Sequence, residues 1–123
     1  MKEPLDHRNY ARDKRSVPIH VNLPDGCYVF VRDVEGTVFV LPDAPHLHPK
    51  VLGHGSPAKY AGDLTKLGHV IKELTNLSGT FQFDDAEGLL EVVATLESLG
   101  FTIEPGAVRL FSHTDGRRPK IIR

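Results

Sequence analysis

Cysteine is almost missing from this sequence. Cys27 is the only one in 123 residues, so an internal disulfide is excluded, as is any multi-cysteine zinc or iron–sulfur site within one chain. Long apolar runs are missing too: the longest, Cys27–Val31, is far too short to cross a bilayer. The charged stretch 1–16 has none of the apolar character of a signal peptide. Internal repeats and low-complexity tracts are absent. Together these absences lead us to expect a soluble protein of a reducing compartment, the cytoplasm, with no membrane partner. Charge of one sign is lacking as well. A net charge of −1 leaves nucleic acid as a weak candidate partner, because such proteins usually carry a clear basic excess.

The charges are nevertheless unevenly placed. Residues 84–104 hold Asp84, Asp85, Glu87, Glu91, Glu97 and Glu104 with no Lys or Arg, whereas 109–123 hold Arg109, Arg117, Arg118, Lys120 and Arg123 against Asp115 alone. Either stretch is a solvated face or a surface for a partner of opposite charge. With 40% hydrophobic and 25% charged residues, the composition is that of an ordinary folded domain. We divide the chain into a charged arm (1–16), a single domain (17–112) and a basic tail (113–123).

Within the domain, Ile19, Val21 and Leu23 alternate between prolines and predict an edge strand over Val17–Asp25. Cys27–Arg32 and Thr37–Leu41, joined by Asp33-Val34-Glu35-Gly36, predict a hairpin. It is apolar on both faces, so it belongs in the middle of a sheet. Tyr60–Lys66 and His69–Thr75 predict a second hairpin around Leu67-Gly68, followed by a short strand over Thr80–Phe83. Asp84 with Glu87 three residues on is a capping-box pattern. The stripe Leu89, Val92, Val93, Leu96 and Leu99 predicts a helix that Gly100 ends. Thr102–Ile103 and Ala107–Ser112 supply the last strand residues. The expected class is α+β: a mostly antiparallel sheet of five or six strands with one long helix packed on a face. A doubly wound fold is not expected, since only one helix is available as a crossover. The edge strand Val17–Leu23 is a candidate contact for a homodimer.

The segment with most chemistry is His46–Asp63. Pro42–Pro57 carries four prolines, two glycines and three histidines, which rules out a helix or central strand and predicts a loop of specific geometry. His46 and His48, two apart, would share one side of an extended stretch, with His54 returning beyond a bend. Three imidazoles could ligate zinc, with Asp63 or Glu73 adding an oxygen. The spacing matches no zinc signature, so we assign no metal and leave the cofactor unknown. The same residues suit acid/base work: His48 or His54 has a side chain that titrates near neutrality, and Lys50 could stabilise an anionic transition state. Gly53, Gly55 and Gly62 allow close backbone approach. Gly53-x-Gly55 is not followed by a helix pattern, and no P-loop is present. Ser78 and Thr80 could present hydroxyls at the next turn, and Asn76 could bond backbone or ligand. Cys27, Phe81 and Phe83 are read as core.

His48-Pro49-Lys50-Val51-Leu52-Gly53, Ala58-Lys59-Tyr60-Ala61-Gly62-Asp63-Leu64 and Asn76-Leu77-Ser78-Gly79-Thr80-Phe81, followed by a helix, form a familiar order. It resembles a small module with a His-x-x-x-Leu stretch, an Ala-Gly-Glu-Leu strand and an Asn-x-Ser-Gly-His-Tyr turn. That module occurs at the C-termini of bacterial polymorphic-toxin-like proteins, and a similar one occurs in plant IQ-motif calmodulin-binding proteins. The resemblance covers about residues 28–112 and implies a toxin-type or effector-type domain, with His48, Asp63 and Ser78 in the recurring positions. Here the module's Glu is Asp63, and its His-Tyr pair is Thr80-Phe81, which removes an imidazole and a phenol.

Three functions follow from the sequence. The first is a binding module for a small molecule or protein partner, built on the His46–Asp63 loop with Asp63, Ser78, Thr80 and Arg109. The second is a toxin-like enzyme acting on RNA or a nucleotide, with His48 or His54 as acid/base and Lys50 or Arg109 on phosphate. The third is an interaction domain using the acidic helix and basic tail. The altered Thr80-Phe81 turn favours the first.

Overall fold

A computed structural model of the chain describes residues 16–42, 58–77, 85–111 and 120–122. Runs of β-branched and aromatic residues form the two strands of its first hairpin. The strands are β1 (Val17–Pro18), β2 (Gly26–Arg32), β3 (Val38–Pro42), β4 (Tyr60–Leu67), β5 (Val70–Thr75), β6 (Thr102–Ile103), β7 (Val108–Leu110) and β8 (Lys120–Ile121), and the helix α1 spans Ala86–Ser98. Among the described residues they make one sheet in the order β1-β3-β2-β4-β5-β7-β8, with β6 also on β5.

The first hairpin forms where the sequence predicts it. Asp33 builds its turn by accepting from the Glu35 and Thr37 amides at 3.0 and 2.9 Å, and Gly36 supplies the left-handed φ of +91°. β2 lies between β3 and β4 and is antiparallel to both. Its residues Tyr28, Val29, Phe30 and Val31 are all buried, as expected of a central strand apolar on both faces. The second hairpin joins β4 to β5 through Gly68, with a register shift between Thr65 and Lys66.

The helix starts one residue later than the Asp84/Glu87 pattern predicts. Asp85 is the N-cap, and its carboxylate accepts from the Gly88 amide at 2.7 Å. Leu89, Val92, Val93 and Leu96 are fully buried in one cluster with the strand residues. Leu99, expected on the same stripe, is 45% exposed. The reason lies in the helix end. Phe101 N donates to Leu96 O and Gly100 N to Glu97 O, both at 3.1 Å, and Gly100 takes φ +98°. This is a Schellman ending. The chain reverses at Gly100 and brings Phe101, rather than Leu99, into the core.

Most pairings in the sheet are antiparallel, as expected. Two are parallel, β6 and β7 each with β5, so the sheet is mixed and α1 is the crossover between parallel strands. The strand number exceeds five or six, because the last strand residues separate into β6 and β7 and β8 adds a two-residue pairing that leaves no periodic trace in the sequence. The predicted strand Val17–Asp25 shortens to β1. Leu23 N bonds His20 O at 3.2 Å, and this turn breaks the alternation. β8 comes from the stretch read as a tail; it pairs antiparallel with β7.

Candidate functional site

Alternation along β4 sorts its side chains onto two faces. Tyr60, Gly62, Leu64 and Lys66 share one; Ala61, Asp63, Thr65 and Leu67 share the other. On the second face, Thr65 lies directly opposite Cys27 on β2 and opposite Glu73 on β5. The Cys27 Sγ and Thr65 Oγ1 atoms are 3.4 Å apart. Arg109 on β7 pairs with Thr75, and its Nη1 lies 4.0 Å from Glu73 Oε2. Asp63, half-buried, stands opposite Val29. Four strands thus bring Cys27, Thr65, Glu73 and Arg109 into one polar row, with Asp63 two residues before Thr65.

The face that carries Tyr60 ends in a different polar cluster. Lys66 is 1% exposed, and its ammonium donates to Leu23 O and contacts Asp25 Oδ1 at 3.4 Å. Asp25 also accepts from Gly68 N at 2.6 Å. That amide, with Lys66 beside it, holds the Asp25 carboxyl below the ordinary carboxylate range. Tyr28 donates to Pro24 O at 2.6 Å; burial, then the Asp25 charge, pushes its phenol up. Pro24-Asp25-Gly26 is therefore tied to β4 and to the turn of the second hairpin.

Two residues of the recurring motifs hold the fold together. A Cβ on Gly62 would lie 1.8 Å from Thr75 O and 2.9 Å from the Phe30 ring, so the close approach of β5 requires glycine. Asn76 is fully buried. Its Nδ2 donates to Phe111 O and its Oδ1 accepts from Phe111 N; of the two roles open to it in the sequence, it takes the backbone one.

Of the residues singled out from the sequence, Asp63 and Arg109 lie on the same face of the sheet, Asp63 on β4 and Arg109 on β7. His46, His48, Lys50, His54, Ser78, Thr80, Phe81 and Phe83 lie outside the described residues, as does the predicted strand Thr80–Phe83. Cys27, expected in the core, is an exposed free thiol; it lies at the start of β2, and burial on its face begins two residues on at Val29. Thr65 was not anticipated; its spacing of two from Asp63 along a strand is the signal that marks it. Among the described residues no group of three His, Cys, Asp or Glu could hold a metal ion, and no helix is long and apolar enough to cross a membrane. No protein-family model, curated protein or solved structure matches the chain.

Proposed function

We propose that the chain is a ligand- or partner-binding module rather than a catalyst, and that the row Asp63, Thr65, Glu73 and Arg109 is its working surface. The carrying observation is the Glu73–Arg109 pair. At 4.0 Å, with side chains 47% and 45% exposed, it sits at the outer limit of an ion pair, and such a pair holds its partners weakly. Each charge can turn to a ligand at little cost. The chemistry suits a ligand with an acidic group for Arg109 and hydrogen-bond donors for Glu73 and Asp63, with Thr65 between them.

The His46–Asp63 segment belongs to the same reading. Its last residues form the first half of β4, so the sequence that carries His48, Lys50 and His54 leads directly into Asp63. The likeness to the polymorphic-toxin module supports an effector-type setting. A cytoplasmic location goes with it, since the exposed thiol of Cys27 persists best in a reducing compartment. We read the fold as α+β with the helix packed on the sheet face that carries Tyr60. The Tyr60 hydroxyl donates to Asp85 O at 2.9 Å, and Arg32 pairs with Glu91 at 2.8 Å; both support that packing.

A thermal-shift screen with small carboxylates, phosphates and amino acids tests the proposal. At least one class should raise the unfolding midpoint, and Arg109→Ala and Thr65→Val should each reduce the response. A panel without any response, or one that both variants leave untouched, sinks the idea. Growth arrest on expression, relieved by His48→Ala, would put the toxin-like enzyme in its place.

A further inference from the structure

β5 carries one residue more than β4 at the register shift between them. Thr65 stands opposite Glu73 and Lys66 opposite Ile71, so Lys72 is the extra residue of a β-bulge. Ile71 and Leu74 stand opposite Lys66 and Leu64 and share their face, where both are fully buried. Lys72 and Glu73, between them, therefore both turn to the other face, whereas strict alternation would separate them. The bulge thus brings Lys72, an exposed cation, to the face that carries Thr65, Glu73 and Arg109. Its ammonium lies 3.0 Å from Glu104 Oε1, and both side chains are 42% exposed. Arg109, opposite Thr75, reaches back along β5 to Glu73. The charges follow in the order Arg109, Glu73, Lys72, Glu104, alternating in sign.

We propose that this face takes an α-amino acid with an acidic side chain, its ammonium on Glu73 and its two carboxylates on Arg109 and Lys72. The inference rests on the reading of the polar row as a binding surface, and it adds Lys72 to that row. The order of charges selects the class. A carboxylate flanked by two cations complements an ammonium flanked by two carboxylates. A diacid without the ammonium brings Glu73 no donor, and a neutral amino acid brings Lys72 no charge. Both protein ion pairs are about half exposed, and such pairs are weak. Arg109 and Lys72 can each exchange a protein carboxylate for one on the ligand.

The probes are L-glutamate, L-glutamine and glutarate, each titrated into the full chain by calorimetry at constant ionic strength. Glutamate should bind about threefold tighter than glutamine, the contribution of one exposed ion pair. Glutarate, which lacks the ammonium, should also bind more weakly than glutamate. Lys72→Gln should bring the glutamate-to-glutamine ratio close to one. The ligand series on the unaltered protein requires no variant to fold. Equal binding of glutamate and glutamine, or of glutamate and glutarate, overturns the acidic amino acid and leaves the polar row standing. A preference that Lys72→Gln leaves intact overturns the part given to Lys72. Silence from all three overturns the inference as well; a thermal-shift response to another class, abolished by Arg109→Ala, would then show that the polar row itself survives.

Discussion

Asn76 and Phe111 exchange two hydrogen bonds, Nδ2 to the Phe111 carbonyl at 2.8 Å and the Phe111 amide to Oδ1 at 2.7 Å. The side-chain amide imitates the backbone of a paired strand, and it continues the β5–β7 ladder one step past Thr75 and Arg109. Asn76→Ala removes both bonds within a fully buried site and should cost about 2–4 kcal/mol. Urea unfolding of the purified variant measures it; a loss below about 0.5 kcal/mol would show that the latch adds little.

Gly62 faces a backbone atom, which cannot swing aside as a flexible side chain can. Gly62→Ala should therefore destabilise by about 3 kcal/mol or more, at the severe end for overpacking. Gly68→Ala provides the comparison. A Cβ there meets nothing within 4 Å, and the only penalty is its φ of +60°, about 1 kcal/mol. Thermal midpoints that fall equally in the two variants would contradict the close approach at Gly62.

The Asp25 carboxyl is held below its ordinary value of 3.8, first by the Gly68 amide and then by Lys66. A depressed folded value means stability that is fully present above the ordinary carboxylate range and lost as pH falls through the lower folded value. The unaltered protein should exceed Asp25→Asn in urea midpoint at pH 7, and the difference should shrink once the pH drops below 3.8. A gap that stays constant down to pH 2 would separate the carboxylate charge from this effect.

Cys27 is an exposed thiol on β2. In the native protein a charged thiol reagent should modify one equivalent, and the rate should change little in denaturant. Strong protection in the folded state would contradict the exposed position.

Lys66, at 1% exposure, holds the Leu23 carbonyl and the Asp25 carboxylate. Lys66→Met keeps most of the buried stem but leaves that carbonyl without its ammonium partner, at a cost of about 1–3 kcal/mol. The same unfolding assay applies, and a variant more stable than the parent would show that desolvation of the ammonium outweighs its bonds.

The two hairpins and the helix were legible because each is local: apolar runs, a Gly at the turn and a 3.6-residue stripe lie within about twenty residues. Leu99 and Asp84 misled because one residue of phase at a helix end depends on the cap that forms, and Asp84 and Asp85 are chemically equal candidates. The parallel pairing of β5 with β7 was not legible. It links Leu74 to Val108, and no local pattern announces a partner so far along the chain. Asp63 and Arg109 were legible by chemistry, whereas placing them on one face of the sheet, with Thr65 and Glu73 in the same row, required the register of four strands. Asn76 shows the converse: a polar residue at a turn gives no sequence sign of whether its amide faces solvent or a buried backbone.

The Asn76–Phe111 latch closes a loop of 35 residues, and α1 lies within it. The hairpins β2–β3 and β4–β5 close short loops and can form early, whereas the parallel pairing must wait for that larger closure. The C-terminal third of the sheet should therefore dock last in refolding. Substitutions at Asn76 would then appear mainly as faster unfolding, with the refolding rate nearly unchanged.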